Sequence, residues 1–530
     1  MNRLIRKATS KISVGNAAIL LASTTMIGQV LGFLRVKFIN ANFPATGEGS
    51  TDVFFAAFKI PDFFYLTLAA GALGVAFIPY LSDKLSKNDR QGAWDLSSSL
   101  LNLLAIVMGV VGILIFVFAE PLIDHVVAPG MTDFQLERAT LIMRLVALNP
   151  LLFTLSSILM SMQQTTGRFF FFAIAPLFYN LSIIISIFVF KDNLGIVGLG
   201  VGAMIGAVLQ LLVALVGLIG MKFKYNAKIQ WHSPSFRGIL RQLPPRSIDQ
   251  GVDGINSIVE TNFARGLGEG NITYYENAYV LHTAPILLIG TTISTAAFPR
   301  MTRRLSQGRP DLFRKEFRNI LRMMIWISLP VITVSYFARG YLARLIFSRD
   351  APEIALIFGF FTAAILFRIV YNILSRYFYA YKDTVTPLLV SLGVIALNVG
   401  LAFILSQPEN YGVAGLAIAQ AIVAIVEAFI LTAIIYYRDR KIFDYEFVEA
   451  LLRMLSATGF TVVVAYIMIQ VLPLSTGDTG VITLGGKLVM ISVATFGTFG
   501  IMSWLLKIEE VYPVIEKLKK LILKPIRINY

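Results

Sequence analysis

PYLSDKLSK, running from Pro79 to Lys87, returns in the second half of the chain as PRMTRRLSQ, Pro299 to Gln307, and an Ala-Phe closes the apolar run just before each. Tyr80 against Arg300 and Asp83 against Arg303 are the clear mismatches. A second correspondence accompanies the first: Ile196-Val-Gly-Leu-Gly200 answers Val413-Ala-Gly-Leu-Ala417, and Pro176 and Pro387 each open the preceding span. About six apolar runs separate the copies, an even number, so both halves traverse the membrane in the same sense and the repeat is parallel.

The runs between these landmarks place the chain in lipid. Of its 530 residues 56% are hydrophobic and 15% charged, and mean hydropathy is +0.72, whereas a soluble globule carries about a quarter charged residues. Apolar stretches of about 20 residues, each long enough to cross a hydrocarbon core about 30 Å thick, recur from Val14 to Leu506. The expected fold is an all-α polytopic membrane protein of about fourteen transmembrane helices. Two pseudo-symmetric six-helix lobes, 1–221 and 247–437, are joined by a cytoplasmic linker, 222–246, and followed by two C-terminal helices, 438–508, and an amphipathic tail, 509–530. The first run has no small-residue cleavage site and reads as a retained span.

The net charge of +15 follows topology. Basic clusters such as Lys84 to Arg90, Lys222 to Arg246, Arg300 to Arg318 and Lys517 to Arg527 fall in alternate connections, as cytoplasmic loops require. Both termini are then cytoplasmic, and nucleic acid is not an expected partner. The loop with Arg339, Arg344 and Arg349 is an exception that this scheme places outside. In the tail, Val511, Val514, Ile515, Leu518, Leu521 and Ile522 mark one helix face, with Lys517, Lys519, Lys520 and Lys524 around it, a pattern suited to anionic headgroups.

Enzyme chemistry has little to rest on. There is no cysteine, and His125, His232 and His282 are too scattered for a ligand cluster, although His282 lies within a span. Gly480-Val-Ile-Thr-Leu-Gly-Gly-Lys487 has the wrong spacing for a phosphate loop and lacks the following Ser or Thr. No cofactor is expected, and energy, if needed, would come from an ion gradient, Na+ among them, or from the membrane potential.

What remains is a set of polar groups within spans, where an ionised side chain costs roughly 2.5 to 3.5 kcal/mol unless it meets water or an opposite charge. Arg35 and Lys37 end the first run, and Asp52, Lys59 and Asp62 punctuate the second. The seventh carries Arg246, Asp249, Gln250, Asp253, Asn256 and Glu260, of which Asp249, Asp253, Asn256 and Glu260 fall along one helical stripe. That stripe reads either as salt-bridge partners for basic groups or as a site for a coupling cation. Arg35 and Lys59 read either as ligands for an anionic headgroup in an aqueous cleft or as side chains snorkelling to an interface. Prolines Pro61, Pro150, Pro176, Pro285, Pro330 and Pro387 lie within or at the ends of spans, where each removes a backbone donor.

QVLGFLR (Gln29 to Arg35), TDVFFAAFKIPD (Thr51 to Asp62), GALGVAFIPYLS (Gly71 to Ser82), GRFFFFAIAPLFYNL (Gly167 to Leu181) and SRYFYAYKDTVTP (Ser375 to Pro387) together resemble the lipid II flippase family, MurJ or MviN, of the multidrug, oligosaccharidyl-lipid and polysaccharide exporter superfamily. The resemblance implies a bacterial plasma-membrane transporter for cell-wall synthesis, moving undecaprenyl-pyrophosphate-linked peptidoglycan precursor outward by alternating access. It also implies a cationic cavity between two lobes and a lipid-tail groove on the last two helices. Arg35 matches a family cavity arginine and Asp52 an acidic residue of the second helix. Other family cationic or acidic positions fall on Gln29, Tyr65, Ala70 and Val280 here, so Lys59 and Arg246 are the compensating candidates. By the same resemblance Glu260 and Asp383 are the positions for a coupling sodium ion. Alternatives are a flippase for another lipid-linked polysaccharide, a drug-cation antiporter of the superfamily, and a non-transporting scaffold.

Overall fold

A computed structural model describes residues 14–70, 77–347, 349–475, 477–478 and 480–516. Among these there is no strand, and eleven helices are long and apolar enough to cross a membrane. The expected fourteen would require that Val14–Asn42, the Thr51–Ser86 region and Pro234–Gly266 cross as well. The Lys517 to Arg527 cluster of the tail lies outside the described residues.

The chain forms two compact units, Met1–Thr273 and Tyr274–Tyr530. In the first, α1 (Val14–Asn42), α2 (Thr51–Tyr65), α3 (Ile78–Ser86), α4 (Arg90–Val117), α5 (Asp133–Val146), α6 (Asn149–Thr165), α7 (Phe169–Leu194), α8 (Val197–Val216) and α9 (Pro234–Gly266) follow one another. Helix α10 (Asn271–Pro285) spans the boundary. The second unit continues with α11 (Thr292–Ser306), α12 (Pro310–Phe337), α13 (Arg339–Ile346), α14 (Ala351–Ala380), α15 (Val385–Leu405), α16 (Ala414–Arg438), α17 (Tyr445–Val471) and α18 (Gly480–Leu505).

The duplication is written into the backbone. Helix α2 runs to Tyr65 and widens into a π turn at Leu66–Ala70, and its counterpart α10 runs to Pro285 and widens at Ile286–Thr291. Thr51 and Asn271, Ser86 and Ser306, Arg90 and Pro310, and Val117 and Phe337 bound these elements in the register set by Pro79 and Pro299. Gly198 and Gly415 also correspond. A Cβ on the first would stand 2.6 Å from Phe190 Cβ and on the second 2.1 Å from the Leu405 carbonyl oxygen, so both helical hairpins need the bare backbone. The prolines depart from the expectation: Pro387 is in the first turn of α15, but Pro176 lies inside α7.

Caps fix several helix starts. Asp89 accepts from Gly92 N at 2.8 Å, Thr132 and Gln135 form a capping box, and Asp444 accepts from Phe447 N at 3.0 Å. Large apolar side chains such as Ile113, Phe188, Phe403 and Val493 stay exposed, as a lipid-facing surface requires.

Residues 222–233 precede α9, whose helix starts inside the interval expected for the linker. They are stitched to α4: Ser98 and Ser99 hydroxyls accept from Asn226 N and Gln230 N, and Asn102 Nδ2 donates to the Asn226 carbonyl at 2.8 Å. Helix α9, which opens the second copy of the repeat, packs against α2 and its π turn in the first unit.

In the second unit α14 packs against α12 and α16, and α15 against α16. The last two helices, α17 and α18, are fastened to α12 by an arginine ladder. Arg314, Arg318 and Arg322, one helical turn apart, bind Asp439, Asp444 and the Glu509–Glu510 pair in turn. The exceptional basic loop has a structural use: Arg344 Nη1 donates to the Ser475 carbonyl at 2.6 Å, and Arg339 lies over Tyr336 and donates to its carbonyl.

Candidate functional site

In the first unit Asp52 and its neighbours form a tied corner, apart from the other polar residues. The corner is built on the first turn of α2. Asp52 is fully buried; its Oδ2 accepts from Gly270 N at 2.7 Å, and its Oδ1 accepts from Thr273 N at 2.8 Å and Thr273 Oγ1 at 2.6 Å. Gly270 has φ +87°, a left-handed conformation natural to glycine, which turns its N–H toward the carboxylate. Arg265 Nη1 stands 3.9 Å from Asp52 Oδ2, while Nη2 donates to the Gly130 carbonyl and Gln135 Oε1, each at 2.9 Å. Gln135 Nε2 donates in turn to the Gly47 carbonyl and Glu269 Oε1. Three interhelical loops are thereby tied together, and Asp52 serves as their knot.

The other polar residues lie further along the helices. Lys59, two turns beyond Asp52 on α2, donates from Nζ to Ser257 Oγ on α9 at 2.8 Å. Glu260, 4% exposed, accepts from Asn256 Nδ2 at 2.9 Å. Arg35 on α1 is half-buried with its guanidinium carbon 6.0 Å from the centre of the Tyr179 ring, and its Nε is enclosed without a hydrogen-bond partner. Tyr179 lies in the field of both the Arg35 cation and the Asp62 carboxylate. Its position follows from α8, where a Cβ at Gly206 would stand 3.0 Å from Tyr179 Cα.

The structure thus brings Asp52, Lys59 and Glu260 onto the packed pair α2 and α9, and places Arg35 on α1 against α7. Gln29 is exposed on α1. Arg246 falls within α9, and its side chain, like those of Asp249 and Gln250, lies outside the described residues. Tyr65, standing where the family resemblance implies an arginine, directs its hydroxyl to Ser157 Oγ at 3.2 Å.

Asp383, in the other unit, sits in the turn between α14 and α15. Its carboxylate accepts from Val385 N, from Thr386 N and Oγ1, and from Arg438 Nη1 at 2.6 Å. Burial raises its pKa, but the Thr386 bonds and the Arg438 cation outweigh this and hold it at about 2. Among the described residues no group of three or more His, Asp or Glu is placed to hold a metal ion.

One charged constellation escaped the sequence reading. Arg368, midway along α14, donates from Nη1 to Glu427 Oε2 at 2.8 Å and from Nη2 to Gln420 Oε1 at 3.0 Å, both on α16. Glu427 also accepts from Ser391 Oγ of α15 at 2.9 Å. The signal was present: Arg368 is a lone charge in the apolar run FFTAAILFRIV, the same mark that singled out Arg35.

Comparison with known proteins decides the lineage. The sequence model of the family described as "Lipid II flippase MurJ" matches residues 47–487. The chain belongs to the MurJ family. Relatives named "Probable lipid II flippase MurJ" include one from Bdellovibrio bacteriovorus, 26% identical over 79% of this chain and 81% of that protein. Another, from Rhizobium tropici, is 25% identical over 93% of each. Among solved structures, a lipid II flippase MurJ in an inward closed conformation superposes with a TM-score of 0.75 at 21% identity, covering 92% of this chain and 99% of that one. An inward-facing multidrug transporter of the MATE family gives 0.67 at 15% identity, over 80% and 98%. The fold is therefore that of the MurJ and MATE transporters.

Proposed function

We propose that this chain is a lipid II flippase of the bacterial inner membrane, moving the polyprenyl-pyrophosphate-linked peptidoglycan precursor to the outer leaflet by alternating access between two lobes. Membership of the MurJ family carries the reading. The cations of the first unit support it chemically, because Arg35 on α1 and Lys59 on α2 suit a phosphorylated headgroup better than a cationic drug. Arg35 presents a forked donor and Lys59 a compact charge. Gln29 and Arg246 are the remaining candidates for headgroup contact. Asp52, with its acceptors occupied, ties the interhelical loops of the first unit together. Both termini are cytoplasmic in this reading, and the energy comes from an ion gradient or the membrane potential. For a coupling cation, buried Glu260 with Asn256 offers oxygen ligands, whereas the Asp383 carboxylate is committed to Thr386 and Arg438.

A strain depleted of its own lipid II flippase tests the proposal. Expression of this chain should restore growth and clear accumulated lipid II. Normal lipid II levels in this chain's own host after its depletion, with another polyprenyl-linked saccharide accumulating, would reassign the cargo.

A further inference from the structure

Arg368 and Glu427 form an ion pair midway along two membrane-spanning helices, and its two ends are unequally covered. The Glu427 side chain is 2% exposed, enclosed by Arg368, Gln420 and the Ser391 hydroxyl, whereas the Arg368 side chain is 26% exposed. The anion is thus sealed inside the second unit and the cation is turned toward its surface. A guanidinium open by a quarter at this depth is tolerable against water or an anion but costly against hydrocarbon. Its carrier is well fixed: Arg368 is oriented by two acceptors on α16, and its carbonyl accepts from Asn372 Nδ2 at 2.9 Å. The guanidinium fork suits phosphate oxygens.

We infer that Arg368 is a pyrophosphate ligand of the transported lipid and that Glu427 and Gln420 are its positioning residues. The inference rests on the flippase reading and deepens it, since it names a cation for the headgroup of the cargo. An incoming pyrophosphate competes with Glu427 for the same guanidinium. The positioning carboxylate therefore weakens binding while it fixes geometry, which lets the cargo leave as well as enter.

Binding of undecaprenyl pyrophosphate to the purified full chain in nanodiscs tests this, with inorganic pyrophosphate as a second probe. The paired variant Arg368→Gln/Glu427→Gln removes both charges while keeping polar partners, so it leaves no unpaired buried ion, and a thermal melt checks its fold. It should bind about tenfold or more weakly, and Arg368→Lys, which loses the fork, several-fold more weakly. Glu427→Gln alone should bind about threefold more tightly, an effect that a purely structural ion pair would not give. Wild-type affinity in the folded paired variant would overturn the inference and leave the flippase reading standing. Arg368-dependent binding of inorganic pyrophosphate without competition from the lipid would overturn the assignment to lipid-linked cargo. No binding of the lipid by the wild-type chain would overturn both.

Discussion

Asp52 and Glu427 are both buried helix carboxylates with an arginine beside them, yet they solve opposite problems. Asp52 takes two backbone amides and a hydroxyl at 2.6 to 2.8 Å, and Arg265 stands off at 3.9 Å with its own bonds to Gly130 and Gln135. The product is a tied set of loops. Glu427 instead bonds its arginine directly and leaves that arginine partly open. A carboxylate held by backbone donors locks the chain in place; one whose ion-pair partner is partly exposed is equipped to exchange partners. The same distinction separates Asp383, closed over by Thr386 and Arg438, from half-buried Arg35, whose Nε lacks a partner.

The comparison breaks first at Asp52. Asp52→Ala would strand the Gly270 and Thr273 donors and leave Arg265 without its neighbouring charge, costing about 3 kcal/mol or more. A large fall in melting temperature and in folded yield is expected, with Asp52→Asn milder because it retains an acceptor. Wild-type stability in Asp52→Ala would erase the distinction between closed and open networks.

At the open end the expected loss is of function alone. Arg35→Ala should abolish complementation while folded protein in the membrane stays near wild type, which immunodetection and a melt would show together. Next in size is the ladder on α12. Arg318→Gln removes an exposed-edge pair worth up to about 1 kcal/mol, and its effect should shrink as salt is raised. An unchanged salt response would mean that apolar packing alone holds α17 and α18.

The smallest effect is the acid response of Asp383. Its carboxyl is held at about 2 against an ordinary 3.8, so its contribution is present above 3.8 and is lost as pH falls through about 2. Partial exposure and screening limit it to about 1 kcal/mol. Asp383→Asn should flatten that portion of the pH dependence of the melting temperature; an unchanged slope would remove Asp383 from the account.

The duplication was legible because PYLSDKLSK and PRMTRRLSQ mark the same place in two copies, and the shared helix bounds and π turns carry that register into the backbone. The charged positions were legible too, since an ion in an apolar run stands out. Their partners were not: Asp52 meets Gly270 and Thr273 from the far side of the first unit, a long-range closure that no local pattern encodes. For the same reason α9, counted with the second copy, gave no sign that Lys59, Asn262 and Arg265 bonds would hold it in the first unit. Asp383 was closer to readable, because Asp-Thr-Val-Thr before a helix is a capping pattern, and its bonds to Val385 and Thr386 are local. Arg368 was overlooked although its signal matched that of Arg35.

The decisive question is whether the half-buried cation on α1 serves the cargo. Translocation of lipid II by the purified chain in proteoliposomes, wild type beside Arg35→Ala, tests this most directly. The account predicts transport by the wild type and none by an equally folded variant; equal transport by both, or none by the wild type, would contradict it.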